Sequence, residues 1–145
     1  MTNMGLRSAL SAWWRRLLAP KPLDVRGERA AARHLKRLGY KVLASRERSP
    51  LGEIDLVAVD RQTVVFVEVK TRDSADAGHP SEAVDLAKQR RLTRLALGYL
   101  KHHRLMECPA RFDVVAVTWP AGQRRPKVEH FPNAFEATGL KGFYS

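Results

Sequence analysis

Three side chains near the middle of the chain have the types and spacing of a catalytic set. Residues 53–59 and 63–70 are two Val- and Ile-rich runs with Asp60-Arg61-Gln62 between them, the pattern of a β-hairpin. Side chains alternate along a strand, so Glu68 and Lys70 share a face with Val64 and Phe66, and Asp55 shares one with Val57 and Val59. If Arg61-Gln62 is a two-residue loop, Asp60 pairs with Thr63, and further along Asp55 falls directly opposite Glu68, with Cβ atoms ~4.5–5.5 Å apart. A three-residue loop would put Asp55 on the wrong face unless a bulge restored it. Two carboxylates facing each other repel, and a divalent cation is the simplest reason to keep them there. Mg²⁺ takes hard oxygen ligands from one or two carboxylates and fills its shell with water and phosphate. Lys70 would then orient or help deprotonate an attacking water, or stabilise charge building up around phosphorus. The competing reading is a salt-bridge cluster at a strand end. The apolar flanks VVFVEVK and GEIDLVAV weigh against it, because charges at the ends of buried strands are costly unless paired or metal-bound.

The elements around the hairpin must hold this set in place. Residues 24–38 read as a helix with Ala31, Ala32, Leu35 and Leu38 on one stripe and Gly39 as its stop. Glu28 lies on or beside that stripe and can reach the hairpin as a further ligand or base; as an acid in the first helical turn it also suits the macrodipole. Residues 40–44 read as a short strand and 45–51 as a polar turn. A long helix is expected over 81–102 with Ser81 as N-cap, then a strand over 111–117, a turn, and a last edge strand over 127–131. Helix, three strands, helix, strand makes an α/β sandwich: helices cover a mixed sheet whose hairpin is antiparallel, and the crossover helix lets the 111–117 strand run parallel to a neighbour.

Composition sets the class of partner. The chain has 145 residues, enough for one domain, and 26 Lys and Arg against 15 Asp and Glu give a net charge of +11. Residues 1–41 hold ten cations and two acids, a net of +8. Such an excess points to a polyanion, either nucleic acid or an anionic membrane surface. One cysteine, Cys108, excludes a disulfide framework, and His79, His102, His103 and His130 show no metal-ligand spacing with it. No apolar run approaches the ~18–20 residues of a membrane span, and the start does not read as a secretory signal, so a cytoplasmic protein without stable membrane insertion is expected. Residues 1–23 are read as a basic amphipathic extension, with Trp13-Trp14-Arg15-Arg16 either on a surface-lying helix or docked on the domain. Residues 24–136 form the domain and 137–145 a tail. Glu53 is expected to face away from Asp55 and to be structural, or to stand behind the site after a turn. Asp113 is read as structural at a strand start.

Several blocks in order carry a resemblance: G-E-R-A-A (27–31), L-G-Y-K-V-L (38–43), G-E-I-D-L-V-A (52–58), V-F-V-E-V-K-T-R (65–72), A-V-D-x-x-K-Q-R-R-L (83–92), R-F-D-V-V (111–115) and H-F-P-N-A-F (130–135). Over about residues 26 to 136 the chain resembles the uncharacterised, nuclease-like YraN family of bacteria. That family is similar to Holliday-junction resolvases of the PD-(D/E)xK, restriction-endonuclease-like fold. The resemblance implies a mixed sheet flanked by helices, with Asp55, Glu68 and Lys70 at the motif positions and Glu28 as the helix glutamate. It implies Glu28, Asp55 and Glu68 as ligands of Mg²⁺ or Mn²⁺, and phosphodiester cleavage in branched or structured DNA. By analogy with symmetric junctions it also implies a homodimer. Where the family tends to have Asn, this chain has Arg46. Arg72, Lys88, Arg91 and Arg94 are expected to contact the DNA backbone, with a solvated helix face as the alternative for the last three. Against the enzyme stands a non-catalytic nucleic-acid-binding module on the same scaffold.

Overall fold

A computed structural model of the chain describes residues 23–73 and 84–138. Seven elements follow in order: α1 (Leu23–Arg37), β1 (Lys41–Ser49), β2 (Gly52–Asp60), β3 (Thr63–Arg72), α2 (Leu86–His102), β4 (Ala110–Thr118) and β5 (Lys127–Phe135). The five strands form one sheet in the order β1-β2-β3-β4-β5; β3 and β4 run parallel and the other neighbours antiparallel. This is the mixed α/β sheet that the sequence led us to expect, with a helix on each face. β3 lies at its centre, which is why VVFV is buried on both sides. Val64 and Phe66 pack with Leu92, Leu95 and Ala96 of α2. Val65 and Val67 pack with Ala30, Ala31 and Leu35 of α1.

The hairpin register is the one that a two-residue loop demands. Asp60 pairs with Thr63 and Leu56 with Val67, and Arg61 takes the left-handed backbone (φ 58°) that such a turn uses. Gly39 (φ 93°) ends α1 beside the Leu38 N–H to His34 carbonyl and Tyr40 N–H to Leu35 carbonyl bonds. Leu38 falls past the helix end and is exposed, so it does not join the buried stripe.

Three boundaries differ from the sequence reading. β1 runs on to Ser49 through the stretch expected to be a turn. Its charged residues are tolerated because β1 is an edge strand, where polar side chains reach water. β5 likewise continues to Phe135, with Pro132 allowed by its edge position. The second helix starts at Leu86, capped by Asp85, whose carboxylate accepts the Lys88 N–H at 2.8 Å. Ser81, His79, the 1–22 segment and residues 139–145 lie outside the described residues. Among the described residues no helix is long and apolar enough to cross a membrane.

Candidate metal centre

The site is built where α1 crosses β3. A Cβ on Gly27 would come within 1.9 Å of Thr71 Oγ1, so the helix backbone rests directly on the strand at a point that only glycine allows. The next residue, Glu28, is thereby pressed against the sheet and is buried. Its Oε2 accepts from Arg46 Nε at 2.7 Å, and the same guanidinium reaches Asp24 Oδ2 at 2.9 Å.

Asp55 sits where the sheet's regularity fails. The β2–β3 ladder ends at Leu56–Val67, and beyond it the Asp55 carboxylate takes over as acceptor, receiving the Val69 N–H at 2.8 Å. Ile54 packs with the α2-side core and Leu56 with the α1-side core, although a regular strand puts residues two apart on one face. On β1, Ser45 pairs with Leu56 and Glu47 with Ile54, so the residue level with Asp55 is Arg46. Arg46 has the left-handed backbone (φ 51°). The pleat is thus interrupted on both strands at the acid.

This irregular stretch brings three carboxylates together. Oxygens of Glu28, Glu53 and Asp55 all lie within 4.8 Å of one another. The expectation that Glu53 faces away from Asp55 is wrong; positions two apart on a strand begin on the same side, and the strand's own period was the signal that should have found it. Glu68, also buried, is held differently. Its Oε1 is paired with Lys88 Nζ, and Lys70 Nζ stands 3.7 Å away. The residues singled out in the sequence are therefore divided between two adjoining groups: Glu28 and Asp55 with Glu53, and Glu68 and Lys70 with Lys88.

Burial, and then the charge of Glu68, pushes the Asp55 carboxyl up to about 7; Glu28 adds to the rise, while the Val69 N–H and Lys88 oppose it. Burial and the neighbouring Lys88 hold the Lys70 amine below the ordinary lysine range, against the pull of Glu68 and Asp55. For Lys88 burial works the same way, but the Glu68 carboxylate outweighs it and raises the pKa. The acid cluster is short of positive charge, and an octahedral Mg²⁺ shell places its oxygens ~3–4.2 Å apart, so a small contraction brings Glu28, Glu53 and Asp55 into one shell. A hard divalent cation fits this donor set.

A family model described as uncharacterised protein family UPF0102 matches residues 27–117. The chain belongs to the UPF0102 family. It is 50% identical over 125 residues to a UPF0102 protein of Rhodopirellula baltica, covering 84% of this chain and 75% of that one. It is 47% identical to one of Geobacter metallireducens (80% and 93% covered) and 46% identical to one of Syntrophotalea carbinolica (78% and 90%).

The basic residues assigned to backbone contact in this UPF0102 chain occupy different places. Lys88 is inside the site, on Glu68, and no sequence signal showed this because it depends on how α2 docks. Arg91 and Arg94 are exposed on α2. Arg72 is half-buried at the end of β3, where its carbonyl accepts the Trp119 N–H at 3.0 Å. Asp113 is completely buried, bound by Arg111 Nε at 3.0 Å and the Asn133 N–H at 2.9 Å, with His130 Nε2 at 2.7 Å.

Proposed function

We propose that this UPF0102 chain is a metal-dependent endonuclease that hydrolyses phosphodiester bonds in branched or structured DNA. The observation that carries the reading is the convergence of Glu28, Glu53 and Asp55 beside a second group in which Glu68 contacts two lysines. Glu28, Glu53 and Asp55, with Glu68 adjoining, are the residues that would hold Mg²⁺ or Mn²⁺. When bound, such an ion polarises the phosphate and makes a water more acidic.

The chain's own groups have distinct work. The Val69 N–H fixes one Asp55 oxygen and so aims the carboxylate. Lys88 neutralises Glu68 and keeps it placed. Lys70, its amine made less basic by burial and by Lys88, is suited to exchange a proton with the attacking water or to stand against a phosphate oxygen. The large positive charge supports a polyanionic substrate gripped through its backbone, which suits recognition of shape over sequence.

The test is a panel of labelled four-way junction, flap, duplex and single-stranded DNA incubated with the protein in Mg²⁺ or Mn²⁺. We expect cleavage that EDTA abolishes and that Glu68→Gln or Asp55→Asn lowers by roughly a hundredfold or more. No metal-dependent product on any substrate, or undiminished cutting by Glu68→Gln, overturns the proposal.

A further inference from the structure

The other flank of α1 carries a feature that the metal centre does not use. A groove of about 630 Å³ runs between that helix and the β4–β5 connection. Arg26, Arg29, Arg33 and Arg37 line it from α1, at steps of three or four residues that keep them on one stripe, and Arg124 and Arg125 line it from across. All six are exposed, and among the described residues no acid lines the groove. Among the described residues none of the six pairs with a carboxylate, whereas Arg46, Arg48 and Arg111 each do. Four arginines along one helix could be a solvated face. Two more, presented by a separate connection across a concavity, make a site in which like charges converge, a cost that a folded chain has no reason to carry unless a polyanion relieves it.

The shape selects the polyanion. From Arg26 to Arg37 the helix rises about 16 Å, the length of several nucleotides. Its apolar lining, Ala30, Trp119, Pro126 and Val128, is buried or half-buried, so among the described residues the groove presents no exposed large apolar side chain of the kind that inserts into a lipid surface. One end reaches β3, the strand that carries Glu68 and Lys70. The Arg26 guanidinium stacks on Trp119 at 4.6 Å, and the backbone N–H of Trp119 donates to the carbonyl of Arg72, two residues after Lys70.

We propose that this arginine groove binds the phosphodiester backbone of nucleic acid and leads it toward the acid cluster. The second half rests on the nuclease reading; the binding does not. The test is fluorescence anisotropy of a labelled short duplex and a labelled single strand with the full chain, in EDTA, over a salt series. Arg33→Glu combined with Arg125→Glu should weaken binding about tenfold or more and flatten the log–log salt dependence by about two. Arg33→Lys with Arg125→Lys should keep most of both. Unchanged affinity and slope in the charge-reversed protein, with its melting temperature preserved, overturns the groove. So does a loss of binding that is larger for phosphatidylglycerol vesicles than for DNA. Groove-dependent binding by a protein that cuts nothing leaves the groove standing without the nuclease; Asp55-dependent cutting with groove-independent binding does the reverse.

Discussion

Asp113 and Asp55 are both acids on strands of one small sheet, and the fold treats them in opposite ways. Asp113 has no exposed surface and is saturated with partners: Arg111, His130 and the Asn133 N–H. Burial works against its charge, but His130, Arg111 and Asn133 together hold its carboxyl below the usual range. Asp55 accepts one backbone N–H and shares its neighbourhood with Glu28, Glu53 and Glu68, and burial followed by Glu68 pushes it up to about 7. The first acid brings its own cations and serves structure. The second is left with lone pairs and no adequate counter-charge, which is the condition of a group awaiting one from outside.

The sharpest way to break this comparison is to remove Asp113. Arg111, held also by Asp60 Oδ2 at 3.1 Å and Tyr40 Oη at 2.6 Å, would lose its buried partner. Asp113→Ala should therefore cost about 3–5 kcal/mol at pH 7, read by urea denaturation. A carboxyl whose folded pKa is depressed contributes stability that is present above its unfolded value and lost as pH falls through the folded value. The difference between wild type and Asp113→Ala should shrink only in strong acid. A loss under 1 kcal/mol would show that Asp113 is no better satisfied than Asp55.

For Asp55 the sign is reversed. Its folded pKa is raised from 3.8 to about 7, so its contribution is fully present below about pH 4 and is lost as pH rises through 7. Asn keeps an oxygen for the Val69 N–H and removes the charge. Without divalent ions, Asp55→Asn should be more stable than wild type by about 1–2 kcal/mol at pH 8, and the gap should narrow as pH falls through 7 and close below about pH 4. Mn²⁺ should raise the wild-type melting temperature more at pH 8 than at pH 5.5, since ion and proton compete for the carboxylate. A wild type more stable than Asp55→Asn at pH 8 in EDTA would place Asp55 beside Asp113 as a structural acid.

Much of this contrast was legible in the residues, and the rest was hidden for physical reasons. The hairpin could be read because a two-residue loop fixes register, and the ladder follows that register as far as Leu56–Val67; the expected pairing of Asp55 with Glu68 is not part of it, because the pleat breaks at Asp55. The central strand could be read because VVFV has no polar face. β1 could not, since S-R-E-R-S carries no apolar alternation and becomes a strand only by pairing with β2 at an edge. Glu53 was in principle visible from the period of two. Lys88 was not, because its pairing with Glu68 depends on where a helix 20 residues further on comes to rest. The partners of Asp113 come from β4 itself and from β5, and only the assembled sheet brings His130 and Asn133 to it.

Arg46 carries the smallest effect and the finest test, because on Glu28, the most buried acid of the cluster, it gives some of what Asp113 has, while Arg48 does so on the more exposed Glu53. The Arg46 guanidinium bonds Glu28 at 2.7 Å and Asp24 at 2.9 Å, while its own side chain is 32% exposed. An ion pair made by so open an arginine adds little to stability, so Arg46→Ala should barely move the urea midpoint. The same bond, however, occupies an oxygen of a ligand candidate, and an arriving cation must displace it. Arg46→Ala should therefore tighten Mn²⁺ binding severalfold in calorimetry, and adding Asp24→Ala to the variant should change little, because Asp24 touches the cluster only through Arg46. Weaker binding in Arg46→Ala would mean that the arginine positions Glu28 for the metal instead of competing with it, and that the cluster is more nearly self-sufficient than its contrast with Asp113 implies.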